Sequence, residues 1–443
     1  MFTINSSTPG HFVKLVRKQF FKSLFISLAV VAMICAFAPT HVFASTSGTT
    51  SGTLTLTPTI ENVGVIVYYT GDDNNNNTAV LQYRTDGGAW KAAPQMYKDT
   101  RATVTSGQYS ETNPYLDTYR GSIFWLTTNT SYEVRVTFSD ADGVAGTNPV
   151  SGTVTTWNDN PPSTGSSYYV SPTGSDSNSG TAAAPFKTFT KAASVATAGS
   201  TVYFKAGTYA DGATLTTPGT ATNYITYRNY GTDQAVFNGG INISASYIRI
   251  KGLVFQNTPG TSIEIASGTG DIVEDCTITN PGLSNSDSGI RIDGAQNMII
   301  QRNMIFMTNG GFQDKDGVYW WHPGDGIVCR NNVVTGGPWD GFGGGPENQF
   351  GCLNNNDLYN NFVSGAWDDG IQPDGDNLNT RVYNNVTTNT FSGISSCPVA
   401  IGPIYIFRNT ISDLHYAYTA GDDEGLKLGD GSTGPIYFYH NTV

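Results

Sequence analysis

The sequence predicts an all-β protein in which a β-sandwich precedes a parallel β-helix. Three observations carry that expectation. Apolar-alternating segments that close on Asn recur along the chain, at Met298–Asn303, Ile327–Asn332, Leu358–Asn361, Arg381–Asn385, Ile404–Asn409 and Ile436–Asn441. A second segment keeps the same step and opens on Gly with an apolar residue: Gly289-Ile290, Gly317-Val318, Gly341-Phe342, Gly370-Ile371, Gly393-Ile394 and Gly425-Leu426. Before Trp157 the pattern is different. Short alternating strands there are separated by turns such as Asp86-Gly87 and Asp142-Gly143, the signature of a sandwich.

Residues 1–44 read as a secretory signal peptide and stand outside the fold. Lys14, Arg17, Lys18 and Lys22 form a basic start, Leu24 to Ala38 is apolar, and Val42-Phe43-Ala44 offers a cleavage site. The apolar run is short for a membrane span. A secreted, extracellular protein with no membrane contact after cleavage is expected. Loss of these four cations takes the formal charge from −12 to −16. So acidic a surface excludes nucleic acid as a partner. Of five cysteines, Cys35 leaves with the signal, and Cys276, Cys329, Cys352 and Cys397 remain as buried thiols or disulfides of undetermined pairing.

The sandwich is expected over residues 52–157. Within it, Leu126-x-x-x-Thr130-x-Tyr132-x-Val134-x-Val136 resembles the fibronectin type III pattern, which implies a tyrosine corner and a spacing or weak binding role. Residues 158–167, with Pro161-Pro162 and Ser-Gly, read as a linker. The second domain covers residues 168–443. Early in it Phe189, Ala192, Ala193 and Ala196 fall at helical spacing, giving a short amphipathic helix that can cover the first rung. An uncovered rung would expose core and an unpaired strand edge.

Steps of 23–32 residues make each rung too small to fold alone, and stacking buries one continuous apolar column. Asn at a fixed turn lets side-chain amides hydrogen-bond up the stack. Two earlier copies, Tyr247–Phe255 and Asp271–Ile278, carry Gly252 and Cys276 at the expected Asn position. The Asn ladder, the opening Tyr169-Val170-Ser171-Pro172-x-Gly174 and Val202-Tyr203-Phe204-Lys205-x-Gly207-Thr208-Tyr209 together resemble the pectate-lyase-like superfamily. That resemblance implies a right-handed, single-stranded β-helix. It leaves the reaction open among lyases, hydrolases, epimerases and binding proteins.

Aligning the Gly turns exposes columns of side chains. The residue before Gly is Ser288, Asp316, Asp340, Asp369, Ser392 and Glu424 in successive rungs. Strands stacked about 4.8 Å apart bring Asp316, Asp340 and Asp369 into mutual repulsion, which a bound cation or a retained proton would relieve. Asp before Gly is also ordinary turn chemistry. Asp368 and Asp374 add two acids nearby. Two steps past Gly the column holds Arg291, Tyr319, Gly343, Gln372, Ser395 and Lys427, and four steps past it holds Trp321, with His322 following. Arg291, Tyr319, Trp321 and His322 are therefore the candidate sugar-binding residues.

In β-elimination from a uronate polymer, a metal neutralises the carboxylate and a Lys or Arg removes the C5 proton. The resemblance to calcium-dependent lyases, especially the family-nine-like pectate lyases, rests on Asp368-Asp369-Gly370, with Gln372 where that motif has its last Asp. It implies calcium held by Asp340, Asp368, Asp369 and Asp374, with Lys427 or Lys315 as base. An inverting hydrolase is the alternative chemistry. Polygalacturonases carry Gly-His-Gly, which is absent here, and Arg249-Ile250-Lys251 precedes the acids instead of following them. Non-catalytic glycan binding or adhesion is the third reading. A monomer acting on extracellular polysaccharide is expected. Because Val443 ends on a ladder strand without a cap, the β-helix is expected to continue in a longer protein.

Overall fold

Alternating side chains from Thr49 onward build two facing sheets. One joins Thr49–Pro58, Val63–Gly71, Thr118–Ile123 and Tyr97–Asp99, with Val144–Ala145 on its edge. The other runs Val150–Thr155, Ser131–Ser139, Thr78–Thr85 and Lys91–Ala92. Their inward residues, among them Val65, Val67, Leu81, Val134 and Val136, form a closed apolar core. At one corner the Tyr132 hydroxyl accepts the Thr127 N–H at 2.8 Å. The structure, a computed structural model, describes residues 47–106, 109–282, 287–308, 315–344, 353–415, 424–429 and 431–443. The leader at 1–44, Gly345 and Cys352 lie outside the described residues. None of the described helices is long and apolar enough to cross a membrane.

From Ser167 the chain coils into a parallel β-helix. Its wall consists of three parallel sheets, of eleven, nine and nine strands among the described residues. The long sheet runs from Ser167–Val170 to Ile436–Tyr439, the second from Gly207–Tyr209 to Thr410–Ser412, and the third from Ala213–Leu215 to Glu424–Leu428. Register is strict. Ile250, Val273, Ile300, Cys329, Leu358, Val382 and Ile406 stack as one inward column of the long sheet. Cys276 and Cys329 are buried among such residues as thiols.

Helix α1 (Phe189–Val195) caps the first rung. Thr188 accepts the Lys191 N–H as N-cap, and Phe189 packs on Phe204, Tyr227 and Phe237 at ring distances of 4.6, 5.2 and 5.6 Å. The Asn ladder is continuous: amide Nδ2 of Asn303, Asn332, Asn361, Asn385 and Asn409 each donates to Oδ1 of the next, at 2.9–3.0 Å. Each residue before a ladder Asn has positive φ, as at Arg302, Asn331 and Asn360. Gly252 does not occupy the ladder position as the sequence suggested. It pairs with Asp275 at this left-handed turn, so Leu253 faces the Cys276 level instead.

The sandwich lies directly on the long sheet. Ile60 and Phe124 pack against Tyr359, Tyr383, Tyr405 and Phe407, whose outward rings otherwise would face water. Tyr359, Tyr383, Phe407 and Tyr439 stack at 4.7, 5.0 and 5.1 Å. Asp357, fully buried here, accepts from Arg381 Nε at 2.5 Å, Thr59 Oγ1 at 2.5 Å and Asn62 Nδ2 at 2.9 Å. Farther along, Asp99 binds Arg101 and Arg120, and Arg101 reaches the carbonyls of Ile401 and Thr433. Residues 158–167 are pinned as well, since Arg249 donates to Pro161 O at 3.3 Å and Ser163 donates to Tyr224 O at 3.0 Å.

Candidate functional site

The sandwich packs on the long sheet, and the outward residues of the third sheet form one register column: Thr214, Asn242, Glu264, Arg291, Tyr319 and Gly343. Ser395 and Lys427 continue it at the far end. Beside this column runs the acid column. Asp316 Oδ1 accepts the Asp340 N–H at 3.0 Å, and Asp340 Oδ1 accepts the Asp369 N–H at 2.7 Å. One oxygen of Asp316 and one of Asp340 thus hold the next rung, in the manner of the Asn ladder.

Asp340, Asp368 and Asp369 each bring a carboxylate oxygen to within 4.8 Å of the others. Gly343 makes this possible, because a Cβ there would lie 2.5 Å from Asp340 Oδ2. Burial and then the charges of Asp316, Asp369 and Asp368 push the Asp340 carboxyl well above the usual range. Asp369 is pushed up to about 6 by burial, against the opposing pull of Lys427. Three converging carboxylate oxygens are the hard donor set a divalent cation such as calcium prefers, with water and substrate completing the shell.

Lys427 meets this cluster from two rungs away. Its Nζ lies 3.2 Å from Asp369 Oδ2 and 3.8 Å from Asp368 Oδ1. The intervening Ser395 is small enough to let the chain pass. Burial alone would lower the Lys427 ammonium, yet Asp369 and Asp368 outweigh it and hold the proton firmly.

Two expected members are held differently, although Asp374 stays near enough to Asp369 and Lys427 to feel their charge. Asp374 is buried and engaged, with Oδ1 accepting the Cys397 N–H at 2.7 Å and Oδ2 accepting from Gln372 at 3.0 Å. It props the turn beside the cluster and is not one of the three converging acids. Lys315 is fully buried, its ammonium donating to Gly282 O at 3.2 Å, and burial lowers its pKa.

The sugar-binding candidates do converge. Arg291 lies over the Tyr319 ring at 4.9 Å, and Tyr319 is parallel to Trp321 at 6.5 Å. Trp321 is 38% exposed and touches His322 edge-on, whereas Tyr319 is only 5% exposed. Trp321 is therefore the open platform and Tyr319 its support. Trp320 points into the core. The sequence reading missed what lies before Arg291: a groove of about 780 Å³ along the same sheet, bordered by Thr190, Thr214, Asn242, Glu264, Asp287 and Arg291. Extending the outward column to earlier rungs would have found it.

Residues 168–443 match the family model described as Pel9A-like, right handed beta helix region. The chain belongs to this Pel9A-like β-helix family. Among curated proteins it is similar to the uncharacterized protein YwoF of Bacillus subtilis (strain 168), 37% identical over 112 residues, which cover 23% of this chain and 24% of that one. The chain thus spans about a quarter of that relative's length. Among solved structures, the complex of XylC with xylose is 13% identical, covering 56% of this chain and 66% of that one with a TM-score of 0.45. Pectate lyase Pel9A is 17% identical (64% and 79% covered, TM-score 0.37), and a rhamnogalacturonan lyase is 14% identical (62% and 87%, TM-score 0.38). Within the Pel9A-like region fall Asp340, Asp368, Asp369, Lys427 and the whole open face.

Proposed function

We propose that this chain is a secreted, calcium-assisted polysaccharide lyase that cleaves a uronate-containing glycan by β-elimination. The observation that carries the reading is the convergence of Asp340, Asp368 and Asp369 within 4.8 Å, with Lys427 Nζ 3.2 Å from Asp369. A calcium ion held by these three carboxylates would neutralise the substrate carboxylate and acidify its C5 proton. With Asp368 and Asp369 so engaged, Lys427 loses the charges that hold its proton and becomes the amine that can accept one. Trp321, backed by Tyr319 and Arg291, offers an apolar ring to a sugar face.

The inverting hydrolase is less well supported by this geometry. Its paired carboxyl groups stand roughly 6.5–9.5 Å apart to admit a water, whereas these acids crowd one point. The experiment is a screen of acidic polysaccharides followed at 235 nm, where unsaturated uronates absorb. Absorbance should rise with calcium and stop with chelator. New reducing ends without that absorbance would establish hydrolysis instead, and binding with neither signal would establish adhesion.

A further inference from the structure

We infer that the protein carries a second sugar site, a cleft between residues 157–161 and the turns that lead into the long sheet, shaped for one uncharged pyranose unit. It goes beyond the chemistry proposed at the third sheet and does not depend on it. The cleft measures about 310 Å³ and is bordered chiefly by Trp157, Asn158, Tyr224, Tyr247, Thr269 and Asn297. Pockets for small molecules run from about 300 to 1,000 Å³, so the room here is for a single small ring.

The ladder builds the cleft from one turn position. Strand register stacks Tyr224, Tyr247, Gly270, Asn297 and Gly326 on one another, each shortly before a strand of the long sheet. The last four have φ of 60°, 78°, 57° and 75°. Gly and Asn suit this left-handed turn, whereas a bulky aromatic side chain is a steric outlier there. Tyr247 is thus held against its backbone preference, and strain of this kind clusters at binding and active sites. Its ring meets Tyr224 edge-on at 5.6 Å, so the two rings form a corner. Gly270 keeps the corner open, because a Cβ there would lie 2.7 Å from the Tyr247 ring. Gly326 admits Trp157 to the same turn, where a Cβ would lie 3.2 Å from the indole Cη2.

Charge decides the class of ligand. Among the described residues that line the cleft, none is an acid, a lysine or an arginine. The charged neighbours are engaged elsewhere: Arg249 with Glu274 at 2.5 Å, and Asp159 with Arg330. Asp271, next to Gly270, is fully buried, and desolvation pushes it up to about 8, so it adds no charge at neutral pH. A charged ligand would lose its water there without gaining a partner. A purely apolar ligand would leave the amides of Asn158 and Asn297 unpaired. A neutral pyranose meets both demands, with C–H faces for the rings and hydroxyls for the amides. Asn297 is already oriented, since its Nδ2 donates to Thr269 Oγ1 at 3.0 Å. Asn158 and Ala221, both exposed, border the mouth, through which the end unit of a glycan chain or branch can enter.

The test uses the full chain with chelator present, so that the acid cluster holds no metal. It is titrated with the methyl glycosides of galactose, glucose, rhamnose and xylose, and with methyl galacturonoside as the charged probe, read by saturation-transfer NMR. At least one neutral glycoside should bind tenfold or more tighter than the charged one. Ala221→Trp, which adds a ring at the exposed mouth, should weaken that binding about tenfold with thermal melting unchanged. Tyr247→Asn, which removes the corner ring and suits the left-handed turn, should weaken it as much. The inference is overturned if no neutral glycoside binds, if methyl galacturonoside binds equally well or better, or if either variant keeps wild-type affinity. A Tyr247 kept for packing alone would lower the melting temperature in Tyr247→Asn and leave sugar binding intact in Ala221→Trp.

Discussion

The long sheet and the third sheet of this β-helix belong to the same rungs, yet they treat charge in opposite ways. On the long sheet, acids are embedded among donors: Glu274 is bound by Arg249, Lys251 and Arg302, and Asp357 by Arg381 and two side chains of the sandwich. On the third sheet, Asp340, Asp368 and Asp369 crowd together with Lys427 as their neighbour. Strand geometry is equal on both faces, so the difference lies in the side chains. Neutralised networks hold two domains together. Acids left in mutual repulsion form the site that the proposed cation would complete, and perturbed groups of this kind cluster where chemistry occurs.

The sharpest way to break the comparison is to remove Lys427, the one cation that touches the cluster among the described residues. Lys427→Met should reduce turnover by about 10²–10⁴-fold, the range of a general base. Calcium should bind more tightly in the same variant, as measured by calorimetry, because a competing positive charge has left Asp369. Retained turnover would remove Lys427 from the chemistry. Weaker calcium binding would show that the lysine supports the acid cluster structurally.

On the covered face the corresponding change is Arg381→Met. Asp357 would remain fully buried with an uncompensated charge, and breaking one side of such a pair costs about 3–5 kcal/mol. Urea denaturation should show that loss. Adding Asp357→Leu should recover part of it, because the pair together contributes far less than the penalty of orphaning one member. A loss below 1 kcal/mol in the single variant would mean that water reaches the interface and that the sandwich is held mainly by its apolar contacts.

The sequence disclosed what repeats. The Asn ladder, the Gly turns and the column Asp316–Asp340–Asp369 could be aligned because each rung poses the same backbone problem. Contacts that depend on reach escaped it. Lys427 stands two rungs from the acids, and only the small Ser395 between them lets its side chain arrive. Asp374 could be placed near the acids by spacing, but not its bonds to the N–H of Cys397 and the amide of Gln372. Lys315 could be placed on an earlier rung, but its burial could not be read from the repeat. Docking of the sandwich was hidden for another reason: residues 158–167 have the composition of a tether. Its legible signal was the outward aromatic column Tyr359, Tyr383 and Phe407, too apolar to be left facing water.

A gentler distinction between the faces comes from proton linkage at Asp271, on the long-sheet side. This carboxyl is buried, accepts the Ile248 N–H at 2.7 Å, and is pushed up to about 8 by desolvation. Its folded pKa stands above the unfolded value of about 3.9, so the folded state keeps a proton that the unfolded chain releases. The contribution of Asp271 to stability is therefore complete below about pH 4 and is lost as pH rises through about 8. The slope is at most about 1.4 kcal/mol per pH unit. Asp271→Asn should flatten this part of the stability profile, measured by denaturation from pH 4 to 8, and calcium should leave it unchanged because the proposed cation site is on the third sheet. A profile that stayed as steep in the variant would assign the titration to another raised acid, and loss of the slope on adding calcium would then place it among those of the third sheet and not at Glu61 or Asp325.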